Sequence, residues 1–147
     1  MLPVLLYGCE TLTVTRDLRR RLNSFSTRSL RRILGWPDFV SNEQMLRETQ
    51  MRFVTCIVRE RQLWLNGHLA RFIDTDPTHQ ILSAKEPREW SQPIVRPHAS
   101  WLQQVDQHLK EMGMGQAPAW GIAGRRPLEY RRKVDAAMRC SGACCHS

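Results

Sequence analysis

The sequence predicts an all-α fold, and three observations carry that prediction. Apolar residues recur at helical spacing in several stretches, capping residues and glycine or proline stops bracket those stretches, and no segment alternates as a strand would. The 147 residues fit one ordinary domain or two small subdomains, and a hydrophobic content of 41% permits a modest core. The expected organisation is a helical bundle over residues 1–73, an irregular junction over 74–97, and a smaller helical extension over 98–147 that ends in a disordered tail.

Residues Leu2 to Thr15 begin abruptly, with Pro3, Gly8, Thr11 and Thr13 breaking a run too short to fold alone. Thr15 is a helix cap with Asp17 in the first turn behind it, and Gly35 before Trp36-Pro37 is a stop. Between them, Leu18, Leu22, Phe25, Ser29 and Ile33 are expected to form the core-facing arc. Arg16, Arg20, Arg21, Arg28, Arg31 and Arg32 are expected on the other side.

Ser41 and Gln44 stand in capping-box spacing ahead of Met45 and Leu46 and predict a short second helix. A third helix is expected from about Met51 to Ile73. It would place Met51, Val54, Ile57, Val58, Leu65, Leu69 and Phe72 on one broad arc, with Arg52 and Arg59 opposite, and form the central core helix. From Asp74 to Pro97 the prolines Pro77, Pro87, Pro93 and Pro97 interrupt any period. Trp101, Leu102, Val105, Leu109 and Met112 then recur at helical spacing before Gly113, and a last helix is expected from Pro127 to Met138.

The formal charge of +8 points to a polyanionic partner, because fixed cations that neutralise phosphates release condensed counterions. Nineteen of the basic residues are arginines and three are lysines (Lys85, Lys110 and Lys133), a bias that suits bidentate phosphate contacts. A merely solvated face would mix signs, yet Asp17 is the one acid between Arg16 and Arg32. The apolar run Met1 to Tyr7 is too short for a signal or a membrane span, so the expected location is intracellular, nuclear or cytoplasmic, with no membrane partner. In that compartment the five cysteines are expected as thiols rather than a disulfide framework.

Several stretches resemble the C-terminal part, from the thumb onward, of reverse transcriptases from non-LTR (LINE-type) retrotransposons. Tyr7-Gly8-Cys9-Glu10-Thr11, followed by Leu12-Thr13, is similar to the family's YGCETWTL block, with Leu12 in place of its tryptophan. Leu30 to Gly35 resembles LRRILG, and Ser41-Asn42-Glu43 resembles TNEE. Gly67-His68 and Arg71 are similar to WLGHxxR, with Trp64 one position early and Asn66 replacing an apolar residue. Arg96-Pro97, Trp101, Val105 and Leu109 to Gly113 resemble a further block, as do Arg125, Tyr130-Arg131 and Val134, where Gly124 and Tyr130 depart from the pattern.

The resemblance covers most of the chain and implies a thumb-like bundle that helps hold a template and primer duplex. The family's YADD or FADD palm motif is absent, and with it the paired carboxylates that hold two metal ions for polymerisation. The expectation is therefore a non-catalytic, nucleic-acid-binding fragment of an RNA-directed DNA polymerase that takes an RNA/DNA or RNA duplex and no cofactor. Arg16, Arg20, Arg21, Arg28, Arg31 and Arg32 would contact phosphates, with Arg52 and Arg59 as weaker candidates. Two alternatives stand beside it: a non-functional remnant of the element, and a helical module that meets an acidic protein.

Other clusters have plainer readings. Cys140, Cys144, Cys145 and His146 supply metal-ligating atoms but crowd into the terminus instead of forming two separated pairs, so no metal is expected. Asp74 and Asp76 beside Pro77 read as a polar turn. His68, next to Gly67, is expected as a buried histidine at a close helix contact, and Trp64 and Trp101 are expected in the core. His79, His98 and His108 form no ligand spacing with His68, and Trp36 and Trp90 are open to either packing or stacking.

Overall fold

The computed structural model describes residues 2–72, 75–84 and 100–140. It is all-α: no strand occurs among the described residues. In chain order the helices are α1 (Leu2–Leu5), α2 (Arg16–Leu34), α3 (Asn42–Glu48), α4 (Val54–Leu69), α5 (Pro77–Ser83), α6 (Trp101–Glu111), α7 (Gln116–Arg125) and α8 (Pro127–Cys140), with a 3₁₀ turn at Cys9–Thr11. Among the described residues no helix is long and apolar enough to cross a membrane.

The predicted caps form. The Thr15 side chain accepts from Leu18 N at the start of α2, and Gly35 ends it at φ 66°, a left-handed conformation that glycine adopts without strain. Ser41 caps α3 by accepting from Gln44 N, and Ser100 with Gln103 completes a reciprocal capping box at α6. The third helix starts later than expected, at Val54. Gln50 turns left-handed at φ 55°, and Met51 N bonds to Leu46 O at 2.9 Å, so Gln50 and Met51 close α3, and α4 opens only at its cap residue Phe53. Asp76-Pro77, expected as part of an irregular stretch, starts α5: the carboxylate accepts from Thr78 N and proline takes the first turn, where its missing N–H costs nothing.

Two apolar clusters hold the fold. Leu6, Cys9, Val14, Val54 and Val58 form one, with Leu18 and Leu22 of α2 packed against it. Leu63, Val105, Leu109, Ala119, Ala123, Tyr130, Val134 and Met138 form the other. α4 supplies residues to both and is buried on nearly every side, so its polar residues need internal partners. Gln62 Nε2 donates to Leu12 O at 2.7 Å and to Gln104 Oε1 at 3.2 Å. Gln104 in turn pairs with both backbone groups of Val14, at 3.0 Å and 2.7 Å. Trp101 Nε1 donates to Glu10 O at 2.7 Å. In this way α6 fastens the N-terminal segment, which has little structure of its own.

Asn66 is fully buried and completes the second cluster. Its Oδ1 accepts from Trp120 Nε1 at 3.0 Å and Gln116 Nε2 at 3.1 Å, its Nδ2 donates to Tyr130 Oη at 3.5 Å, and Tyr130 Oη donates to Leu63 O at 2.9 Å. Burial pushes the Tyr130 phenol up from its ordinary value, which favours the protonated donor. His68, expected in the interior, is exposed instead; its Nδ1 lies 3.0 Å from Arg71 Nη2. The helical step after Asn66 and Gly67 carries it out of the core. Cys9 and Cys56 are buried and form no disulfide among the described residues, and burial raises the Cys9 pKa, which keeps it uncharged. Asp74, Lys85, Trp90, His98 and the terminal Cys144, Cys145 and His146 lie outside the described residues, as does the Arg96-Pro97 block.

Candidate functional site

The α2 helix carries the arginines that the sequence singles out, and its rotation about its own axis decides which of them meet solvent. Its inner edge is formed by Leu18, Leu22, Asn23 and Thr27 rather than by Leu18, Leu22, Phe25, Ser29 and Ile33. Asn23 Oδ1 accepts from Thr55 N at 3.3 Å and Thr55 Oγ1 at 3.1 Å, and so serves the otherwise uncapped start of α4. Thr27 is buried, with its hydroxyl donating to Asn23 O at 2.8 Å. The Asn23–Thr55 contacts turn α2 relative to its apolar pattern. As a result Phe25 is left 52% exposed and Ile33 71% exposed.

Around those two side chains stand Arg21, Arg28 and Arg32, and together they line an open groove of about 620 Å³. Arg28 and Arg32 are exposed and make no ion pair among the described residues. Arg20 and Arg21 both reach back to Asp17, at 3.0 Å and 2.8 Å, through side chains that remain largely in water. Such exposed pairs contribute about 0.2–1 kcal/mol and yield readily to a phosphate. Arg16 is exposed at the helix start.

The other predicted arginines are engaged in holding the fold. The Arg31 guanidinium donates to Pro37 O, to Val40 O at 2.8 Å and to Asn42 Oδ1 at 2.8 Å, so it pins the connection between α2 and α3. Arg52 pairs with Glu60 at 2.8 Å, and Glu60 is buried. Arg59 pairs with Glu111 at 2.8 Å and donates to His108 O at 3.4 Å, which ties α4 to α6. These three belong to internal contacts and are set apart from the exposed set of Arg16, Arg20, Arg21, Arg28 and Arg32.

His108 lies beside Arg59 and is itself buried. Desolvation, then the Arg59 charge, lowers its pKa to about 4, so the ring is neutral at ordinary pH. A pairing invisible in the sequence joins α4 to α8: the Arg131 guanidinium sits over the Trp64 ring, 5.0 Å from its centroid. Trp64, expected in the core, is 37% exposed. Nothing local signals this pair, because the two residues lie at distant points of the chain and meet through the packing of α8 on α4. Trp101 lies partly buried against the second cluster, as expected. Among the described residues no group of three or more histidine, cysteine or acidic side chains is arranged to hold a metal ion. No family model, no curated protein and no solved structure matches the chain.

Proposed function

We propose that the chain binds the backbone of an RNA/DNA or RNA duplex through the outer face of α2, as a thumb-like fragment of a retrotransposon-type reverse transcriptase without its catalytic palm. The observation that carries this reading is the exposure of Arg28 and Arg32, with no carboxylate paired to either among the described residues. Like charges at i, i+4 repel one another, and a bound anion relieves that repulsion. Arg21, Arg28 and Arg32 span about 16 Å of helix at 1.5 Å per residue. One strand of a duplex presents about five phosphates over that length. Arg16 and Arg20 extend the cationic surface toward the start of the helix, where Asp17 is the local acid. Contacts of this kind go to the sugar-phosphate backbone and carry no strong sequence choice.

The test is a titration of the purified chain against a labelled RNA/DNA duplex at several salt concentrations. With about four phosphates neutralised, log affinity falls against log salt with a slope of about −3 to −4. Replacing Arg20, Arg28 and Arg32 by glutamine should shallow that slope; an unaltered slope and affinity would rule the site out. A second reading has its own observation. Phe25 and Ile33 are exposed among the guanidiniums, a composition that suits an acidic amphipathic protein segment. Under that reading the duplex shows no salt-dependent binding. A remnant without a partner shows none either, and broad, non-cooperative unfolding marks one whose core is incomplete.

A further inference from the structure

A second hollow lies between α4 and α8, apart from the α2 face. Its α4 side is formed by Trp64, Gly67 and, just beyond the helix, Arg71; Pro127, Leu128 and Arg131 complete it from α8. We propose that this hollow receives one unpaired nucleotide of a single-stranded extension, with the base against the indole and its phosphate on Arg71 and Arg131. The inference rests on the duplex reading above and adds to it a preference for a duplex that ends in an unpaired overhang.

Four features support this assignment. The volume is about 260 Å³, just below the range of drug-sized ligand pockets, so it admits a single base and little more. Trp64 is partly exposed, and the guanidinium of Arg131 lies over its ring and fixes it, so a base would meet the exposed part of the indole beside that guanidinium. Leu128 is 71% exposed at the same hollow, an apolar surface that a base would cover. The charge is complementary as well: among the described residues two guanidiniums line the hollow and no carboxylate does, and the nearby Glu129 is paired with Arg126 at 2.9 Å and Lys133 at 3.6 Å. A flat apolar wall with cations beside it is the arrangement by which single strands are held without sequence choice.

Three labelled probes test it by fluorescence anisotropy: a blunt RNA/DNA duplex, the same duplex with a three-nucleotide overhang, and an eight-nucleotide single strand. The overhang should bind about ten-fold more tightly than the blunt duplex, in line with base-on-indole stacking. Trp64→Leu should remove that increment and leave blunt-duplex affinity unchanged. Arg71→Gln, an exposed substitution that leaves the fold intact, should reduce the increment in parallel, which keeps the test sound if Trp64→Leu unfolds the chain. Equal affinity for blunt and overhanging duplexes, or an increment that survives both substitutions, overturns the proposal. If the duplex is not bound but the single strand is, with loss on Arg71→Gln, the hollow stands and the α2 interface falls. If none of the three probes binds, both fall.

Discussion

The Tyr130 ring occupies the space that any side chain at position 67 would need. A Cβ built on Gly67 would lie 2.7 Å from Tyr130 Cδ1 and closer still to Cε1. The ring cannot swing away cheaply, for it is buried and its hydroxyl is bonded to Leu63 O and Asn66 Nδ2. Gly67 is therefore a point of close approach between α8 and α4 that admits no side chain without a shift of the ring. It also follows Asn66, whose Nδ2 donates to Tyr130 Oη at 3.5 Å.

This contact inverts the usual effect of a helix substitution. In an open helix interior, glycine to alanine stabilises by about 1 kcal/mol. Gly67→Ala should instead destabilise, by about 1–3 kcal/mol, because it overpacks the ring. In a Tyr130→Ala background the same change should turn neutral or stabilising. Urea unfolding midpoints of the four proteins settle the matter, and a stabilised Gly67→Ala single variant would place the ring elsewhere.

Asn66 links three elements through one side chain, so its removal leaves several groups stranded. Asn66→Leu should cost about 3 kcal/mol, since the Trp120 indole N–H and the Gln116 amide lose a buried acceptor. The thermal midpoint reads this directly. A change of less than about 0.5 kcal/mol, typical of exposed positions, would mean that water reaches those donors.

The arginines of α2 divide into two classes that experiment can separate. Arg31→Gln should lower stability by about 1 kcal/mol, because it releases the connection between α2 and α3. Arg28→Gln with Arg32→Gln should leave stability unchanged and shallow the salt slope of duplex binding by about 2. Paired thermal melts and salt titrations on both variants check the division. Reversed roles would mean that the guanidinium of Arg31 faces the ligand.

His108 makes stability depend on pH. Its folded pKa, lowered to about 4 by burial and by Arg59, lies below the ordinary 6.5, so the unfolded chain takes up the proton first as pH falls. Stability from this group is complete above about pH 6.5 and is lost between there and pH 4, by at most about 3 kcal/mol. Glu111 opposes the shift, whereas Arg59 and Arg19 reinforce it. Urea midpoints at pH 7, 6 and 5 should decline in the native sequence and flatten in His108→Leu. Parallel declines in the two proteins would assign the dependence to other groups.

The helix boundaries were legible where chemistry is local. Thr15, Gly35, Ser41 and Gly113 act through the nearest few backbone groups, and each ends or begins a helix at or within two residues of where the sequence places it. The rotation of α2 was not legible, because Asn23 faces inward for hydrogen bonds to Thr55 of a later helix, and Thr27, one turn on, is buried with its hydroxyl bonded back to Asn23 O. Apolar periodicity weighs only greasy side chains and so turned Phe25 and Ile33 to the wrong side. No helix was expected over the stretch that forms α7, which contains Pro118, Gly121 and Gly124. Pro118 lies in the first turn, where no N–H is missed, and Gly124 gives room beside Ala70 O. Of the candidate site, the exposed arginines were readable from type and spacing, while Arg31, Arg52 and Arg59 were claimed by partners that only the folded chain brings near.

Because α4 furnishes a wall to each apolar cluster, damage on one side does not stay there. Loosening the N-terminal segment frees Val54 and Val58, and the same rod must then support Leu63, Asn66 and Gly67 with one flank open to water. The two halves consequently share a fate, and trimming either end of the polypeptide weakens the half that was left untouched.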